Sequence, residues 1–123
     1  MARKKILVVE DEQFNRDLFV QLLEDEYELV VAEDGQQGVK RAEEENPDLI
    51  LMDLGLPILD GWEATRRIKA NGTLKHIPII AVTSHAMIGE EARALEAGCD
   101  DYLPKPVDEN ELMRKLKKFL SQQ

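Results

Sequence analysis

Hydrophobic residues recur along the chain in short continuous runs, each followed by a stretch in which apolar residues are three or four positions apart. The runs cover residues 6–9, 29–32, 49–52 and 79–82, with a weaker fifth at 102–103. Continuous apolar runs of this length are typical of strands covered on both faces in a parallel sheet, because neither face of such a strand meets water. The sequence therefore predicts five strands.

The stretches between the runs have helical periodicity. In the first of them, Phe14, Leu18 and Leu22 form an apolar stripe with Phe19 and Leu23 beside it, opposite a polar face at positions 16, 17 and 24. Such a stripe predicts a helix that packs against the sheet.

Four further helices follow from local start and stop signals. They cover residues 35–45, which Pro47 closes, 62–70, 88–97 and a last helix that Asp108 caps. In the stretch 88–97 only Ile88, Ala92 and Leu95 are expected to face inward. This thin stripe predicts a weakly anchored fourth helix.

Strand and helix thus alternate five times. Right-handed crossovers and the chain length favour an α/β fold, a doubly wound five-stranded parallel sheet of flavodoxin-like type with strand order 2-1-3-4-5. With 123 residues the chain is expected to form a single domain over residues 1–123. Ligands of such sheets bind beyond the carboxyl ends of the strands, where the strand order reverses.

Charge and composition exclude several classes of function. Sixteen Lys and Arg against 25 Asp and Glu give a net charge of −9, which disfavours binding to nucleic acid or anionic lipid. A single cysteine, Cys99, excludes an intrachain disulfide and a cysteine-based zinc site, and fits a cytoplasmic protein. No apolar run approaches the length of a membrane span.

Acidic residues follow two strands that the predicted order makes neighbours. Glu10 and Asp11 follow the first strand and Asp53 follows the third. Carboxylates this close either shift their pKa or bind a cation, and an all-oxygen ligand set favours a hard ion, of which Mg²⁺ fits best. Alternatively, Glu10, Asp11 and Glu12 form only a solvated, acid-rich helix start. The position of the whole set at the switch point favours the metal site.

Asp53 differs from the other acids because its strand is the hydrophobic centre of the sheet. A carboxylate in that place can attack phosphorus and form an acyl phosphate. Such a reaction needs groups that neutralise the phosphoryl oxygens, and the bound ion, the Lys105 ammonium and the Thr83 hydroxyl are the candidates. Alone, Lys105 is typical of a surface lysine and Thr83 of a turn residue; together around Asp53 they predict a phosphoryl site.

This set of residues resembles the receiver domain of two-component response regulators, the CheY-like family, over almost the whole chain. The resemblance rests on four motifs with their spacing, which are VVED at 8–11, LMDLGLPILDG at 51–61, AVTS at 81–84 and YLPKP at 102–106. It implies a phosphorylation-dependent signalling switch and not an enzyme. Asp53 would be the phosphoacceptor, and a histidine kinase or a histidine phosphotransfer protein would be the donor.

The resemblance also implies roles for the surrounding residues. Mg²⁺ would be held by Glu10, Asp11, Asp53 and the backbone carbonyl of Gly55, with Glu10 in a position where many members carry Asp. Thr83 and Lys105 would contact the phosphoryl oxygens. Two further expectations are that Tyr102 turns inward on activation, changing the surface of helix 4, strand 5 and helix 5, and that the peptide between Lys105 and Pro106 is cis.

Other interpretations differ in specific features. Little chain follows the last helix, so a stand-alone receiver is expected, although a receiver excised from a hybrid histidine kinase would have the same sequence features. An aspartyl-phosphate phosphohydrolase needs a second Asp two positions after the nucleophile, where this chain has Gly55. A flavodoxin would need a phosphate-binding loop where Glu10, Asp11 and Glu12 stand. An inert receiver-like module would have no need of the complete site.

Overall fold

A computed structural model describes residues 3–56, 58–83 and 89–120. It contains a five-stranded parallel sheet in the order β2-β1-β3-β4-β5, which confirms the predicted fold. The strands are β1 (Lys5–Val9), β2 (Glu28–Ala32), β3 (Leu49–Asp53), β4 (Ile79–Thr83) and β5 (Asp101–Pro104). Because all strands are parallel, their carboxyl ends lie at one edge of the sheet, here called the carboxyl edge, and their amino ends at the opposite amino edge.

Five helices alternate with the strands: α1 (Gln13–Leu23), α2 (Gly35–Glu45), α3 (Gly61–Ala70), α4 (Glu90–Ala97) and α5 (Glu109–Leu120). Three of them begin at an aspartate whose Oδ1 accepts a backbone N–H of the first turn. The three aspartates are Asp34, Asp60 and Asp108. These caps satisfy amide groups that have no partner within the helix.

The core forms two layers, one on each face of the sheet. Alternate strand residues point to opposite faces, so Leu7 and Val9 contribute to the layer that includes α2, α3 and α4. Ile6 and Val8 contribute to the layer that includes α1 and α5. In α5, Leu112, Leu116 and Leu120 are buried. The central strands β1, β3 and β4 are therefore covered on both sides.

The predicted inward stripe of α1 is wrong for its first half. Phe19 and Leu23 are buried and Leu22 is partly buried, but Phe14 is 76% exposed and Leu18 is 37% exposed. Phe14 lines a surface cavity together with Pro106 and Val107 of the loop after β5. The apolar periodicity of α1 thus continues beyond the part of the helix that the sheet covers.

The predicted inward face of α4 is also wrong. Ala94 and Ala97 are the buried residues, whereas Ala92 is exposed and Leu95 is 48% exposed; Ile88 lies outside the described residues. Helix α4 packs on α3 and β5 through small side chains, which allow the backbones to approach closely. A stripe of alanines carries little hydrophobic signal, and the sequence pattern therefore selected the larger Leu95.

In the ranges that the structure describes, every helix is too short or too polar to cross a lipid bilayer.

Candidate functional site

A cavity of about 290 Å³ lies at the carboxyl edge, beside the ends of β1, β3, β4 and β5. The described lining of the cavity consists of Glu10, Asp11, Glu12, Asp53, Gly55, Thr83 and Lys105. The structure therefore brings together all of the candidate phosphoryl and metal residues that the sequence identifies.

Three of these side chains place carboxylate oxygens within 4.8 Å of one another: Glu10, Asp11 and Asp53. Glu10 is only 1% exposed and Asp53 is buried, while Asp11 faces solvent. The pairing of β1 with β3 produces this arrangement, because Val9 lies opposite Met52. Glu10 is the residue after Val9, and Asp53 is the residue after Met52. Three carboxylates in so small a volume form a strongly anionic pocket.

Lys105 is the cationic side chain of the described lining. Its Nζ donates to Glu10 Oε1 at 2.8 Å and lies 3.5 Å from Asp53 Oδ2. Burial lowers the pKa of Lys105, but the hydrogen bond to Glu10 and the charge of Asp53 outweigh it, so the pKa is raised. Burial and the nearby Asp53 charge raise the pKa of Glu10 despite its bond to Lys105. Lys105 therefore remains an ammonium and neutralises only part of the pocket.

Asp53 is fixed by the backbone around it. Its Oδ1 accepts the N–H of Gly55 at 3.1 Å. At Gly61, the first residue of α3, an added Cβ would lie 2.1 Å from the carbonyl oxygen of Asp53, so only glycine allows the helix to begin against the end of β3. The sequence indicates Gly61 only as the last residue of the motif at 51–61 and gives no sign of this close approach.

The remaining candidate residues occupy different positions around the pocket. Thr83 is buried at the end of β4, and Gly55 is exposed, with open space around its Cα among the described atoms. Tyr102 lies on β5, partly buried against the core layer of α2 and α3. The peptide bond between Lys105 and Pro106 is cis.

Arg16 makes a contact that the sequence pattern does not predict. The pattern puts this residue on the polar face of α1, yet the Arg16 Nη1 donates to the backbone carbonyls of Glu10 at 3.1 Å and Asp11 at 2.9 Å. A side chain that bonds to backbone carbonyls five and six residues earlier leaves no periodic signal in the sequence.

A parallel sheet in this order, with clustered acids and a lysine at its carboxyl edge, defines a class of doubly wound α/β proteins with an anionic switch-point site. Residues 6–117 match the family model of the response regulator receiver domain. The chain therefore belongs to the response regulator receiver family.

Relatives and solved structures agree with this assignment. The polar-differentiation response regulator DivK of Brucella anthropi is 40% identical over 95% of this chain and 96% of its own length. The receiver domain of the sensor histidine kinase PA1611 of Pseudomonas aeruginosa, solved with magnesium in its active-site cleft, is also 40% identical, with a TM-score of 0.91 over 98% of this chain and 100% of its own.

A third similar structure is the receiver domain of Ssk1 from Saccharomyces cerevisiae, solved in complex with the histidine phosphotransfer protein Ypd1. It is 29% identical, with a TM-score of 0.88 over 96% of this chain and 89% of the other. The similar structures thus include one with a bound metal ion and one with a bound phosphotransfer protein.

Proposed function

We propose that this protein is a phosphorylation-dependent switch of a two-component system or phosphorelay, and that Asp53 is its phosphoacceptor. The observation that carries the proposal is the convergence of Glu10, Asp11 and Asp53 within 4.8 Å, with Lys105 beside them, at the carboxyl edge. Asp53 is the acid that lies at the end of the central strand β3 and whose Oδ1 is fixed by the N–H of Gly55.

The donor set of the pocket fits Mg²⁺. Three carboxylates against one ammonium leave an excess of negative charge, and all of the ligand atoms are hard oxygens. We assign Glu10, Asp11, Asp53 and the backbone carbonyl of Gly55 to this ion. When bound, Mg²⁺ supplies positive charge that offsets the negative charge of the phosphoryl oxygens.

The remaining chemistry comes from the residues of the chain. A carboxylate oxygen of Asp53 attacks the phosphorus of phosphohistidine; an O–P bond forms, the N–P bond breaks and the donor imidazole leaves with the electron pair. The Lys105 ammonium pairs with the oxygens of the transferred group, and the Thr83 hydroxyl donates to them. Because Lys105 Nζ already lies 3.5 Å from Asp53 Oδ2, a small displacement brings it to the phosphoryl group.

An exposed apolar surface beside the pocket supports a protein donor. A cavity of about 170 Å³ between α1 and the loop after β5 is lined by Phe14, Leu18, Leu22, Pro106 and Val107 among others, and Lys105 borders it as well as the anionic pocket. Apolar surface left exposed next to a reactive group is typical of a docking site. We assign it to an apolar helix surface of a histidine phosphotransfer protein or histidine kinase.

The output of the switch lies on the other side of the pocket. Thr83 ends β4, and Tyr102 lies on β5, where Ala81 is its partner in β4. In its described part, helix α4 is held to the core by the small side chains of Ala94 and Ala97, so little apolar surface anchors it. We propose that phosphorylation moves Thr83 toward the new oxygens, turns Tyr102 inward and changes the surface of α4, β5 and α5 for a partner protein.

We further propose that residues 1–123 form one receiver domain without activity on external substrates. An origin in a hybrid histidine kinase remains the alternative, and relatives of both kinds are 40% identical to this chain. The complete reading frame that contains this sequence separates the two.

Intact-mass spectrometry after incubation with Mg²⁺ and acetyl phosphate tests the phosphoacceptor. We expect an adduct of about 80 Da, the mass of one phosphoryl group, that hydroxylamine removes. Asp53→Asn should form none, and Asp25→Asn, a matched change of an exposed acid, should form it at the normal rate. Absence of the adduct from the unmodified protein refutes the proposal, and repeated turnover of a phosphomonoester would indicate a phosphohydrolase instead.

A further inference from the structure

Arg16 bonds to the backbone of the loop that carries the acids and not to their carboxylates. One nitrogen, Nη1, donates to the carbonyl oxygens of both Glu10 and Asp11, at 3.1 and 2.9 Å. Within the described ranges Arg16 forms no ion pair, although the chain contains 25 acidic residues. Its hydrogen bonds are therefore directed entirely at this loop.

The two carbonyls belong to the two peptide groups that flank the Cα of Asp11. A single donor that holds both groups restrains both backbone dihedral angles of Asp11. The second group is also held at its other end, because the N–H of Glu12 donates to Glu10 Oε2 at 3.1 Å. The backbone of Asp11 is thus restrained on both sides.

The side chain of Asp11 lacks a comparable restraint. It is exposed, and in the described part of the chain its carboxylate has no hydrogen-bond or ion-pair partner. Glu10 and Asp53, in contrast, are buried and bonded to Lys105 or Gly55. The direction in which Asp11 presents its carboxylate therefore depends on its backbone.

We propose that Arg16 is a positioning residue of the metal site, which fixes the backbone of Asp11 so that its carboxylate is directed into the pocket before the ion arrives. This inference rests on the proposed function, since it assumes that the pocket binds Mg²⁺. Without Arg16 the ion would have to order the loop when it binds, and the ordering of one residue costs enough conformational entropy to weaken binding about fivefold to tenfold.

Charge and positioning predict opposite results for the same variant. Removal of a guanidinium near three carboxylates makes the pocket more negative, so a purely electrostatic role of Arg16 predicts tighter Mg²⁺ binding in Arg16→Met. The positioning role predicts weaker binding. Arg66→Met is the matched control, because Arg66 is exposed on α3 and forms an ion pair with Glu63.

Calorimetric titration of the whole protein with Mg²⁺ measures the affinity. We expect Arg16→Met to raise the dissociation constant about fivefold to tenfold and Arg66→Met to leave it unchanged. Arg16→Lys should recover part of the affinity, since an ammonium can still donate to a carbonyl. In acetyl phosphate reactions the half-saturating Mg²⁺ concentration should rise, while the rate at saturating Mg²⁺ stays near that of the unmodified protein.

Amide hydrogen exchange gives a second measurement that needs no metal. In the metal-free protein, the Glu12 amide should exchange several times faster in Arg16→Met than in Arg66→Met, while amides of β3 keep their protection. Equal or tighter Mg²⁺ binding by Arg16→Met overturns the inference, and so does an unchanged Glu12 exchange rate. If the unmodified protein binds no Mg²⁺ in the titration, the proposed function itself fails.

Discussion

The carboxyl and amino edges of the sheet differ in how their acidic side chains are paired with cations. At the carboxyl edge, Glu10 and Asp53 share the ammonium of Lys105, and Asp11 has no ion-pair partner among the described residues. At the amino edge, acids are matched with cations: Asp100 with Lys69 at 2.9 Å, Asp101 with Lys115 at 2.8 Å and Glu45 with Lys5 at 3.1 Å. Strands β1 and β5 thus begin beside ion-paired acids, whereas β1 and β3 end beside three acids of which two share one ammonium.

The pKa shifts of one acid at each edge follow this difference. Burial raises the pKa of Glu10 even with Lys105 bonded to it. Burial would also raise the pKa of Asp101, but hydrogen bonds from Lys115 and from the Tyr102 backbone N–H outweigh it and lower the pKa. The charge of Asp101 therefore stabilises the fold, whereas the charge of Glu10 is costly, as is expected of an acid in a pocket that binds a cation.

The largest expected effect is the loss of phosphorylation in Lys105→Met. In the proposed mechanism Lys105 pairs with a phosphoryl oxygen, so its removal should slow adduct formation from acetyl phosphate about 100-fold or more. Intact-mass spectrometry at fixed times measures the rate.

Lys115→Met makes the same change of charge and size at the amino edge and is the matched control for this variant. It should form the adduct within about twofold of the normal rate and lose about 1 kcal/mol or less of unfolding free energy. Equal phosphorylation rates in the two variants would mean that the two edges do not differ in function.

The next prediction concerns stability at the amino edge. Lys69 Nζ donates to Ile77 O at 2.7 Å, to Asp100 Oδ2 at 2.9 Å and to Lys75 O at 3.2 Å. Lys69→Met keeps most of the apolar stem but removes these bonds, so we expect the unfolding free energy to fall by about 2 kcal/mol in urea titrations. Phosphorylation should continue at its normal rate at 25 °C, and a large loss of rate in this variant would contradict the comparison.

The sequence predicted the strands and the members of the pocket because both depend on patterns that are local in the chain. Runs of apolar residues mark buried strands, and the strand order places Asp53 next to Glu10 and Asp11 without knowledge of any side-chain contact. The motifs around Thr83 and Lys105 identified two further side chains of the pocket.

Apart from the error in α1, the errors share one physical cause, which is that hydrophobicity does not record how closely main-chain atoms are approached. Leu95 was chosen over Ala94 although close packing of α4 needs the smaller residue. The contact of Gly61 with the Asp53 backbone and the bonds of Arg16 to two carbonyls involve main-chain atoms, which every residue carries. A single sequence gives no signal for such contacts.

A smaller change in the unfolding free energy is expected from the titration of Cys99, which is buried near the amino edge. Burial raises the pKa of its thiol to about 11, even though Thr65 lies within hydrogen-bond distance of the sulfur. The unfolded chain then loses its proton at lower pH than the folded protein, so stability is full below about pH 9 and falls as the pH rises toward 11. The loss should be about 1.4 kcal/mol at pH 10.

Urea titrations between about pH 8 and 10 measure this loss. Cys99→Ala should remove this part of the pH dependence even if the variant is less stable overall. A decrease of the same size in the alanine variant would assign the effect to other groups.

The smallest predicted effect tests the paired charges of the amino edge directly. Because the pKa of Asp101 is lowered from its ordinary value of 3.8, its carboxylate stabilises the folded state above that pH, and this contribution is lost as the pH falls through the lowered pKa. The unfolding free energies of the unmodified protein and Asp101→Asn should therefore differ by less than about 1 kcal/mol near neutral pH and converge in acid. Urea titrations of both proteins from about pH 6 to 3 measure the difference, and a gap that widens in acid would show that Asp101, like Glu10, is destabilised by its charge.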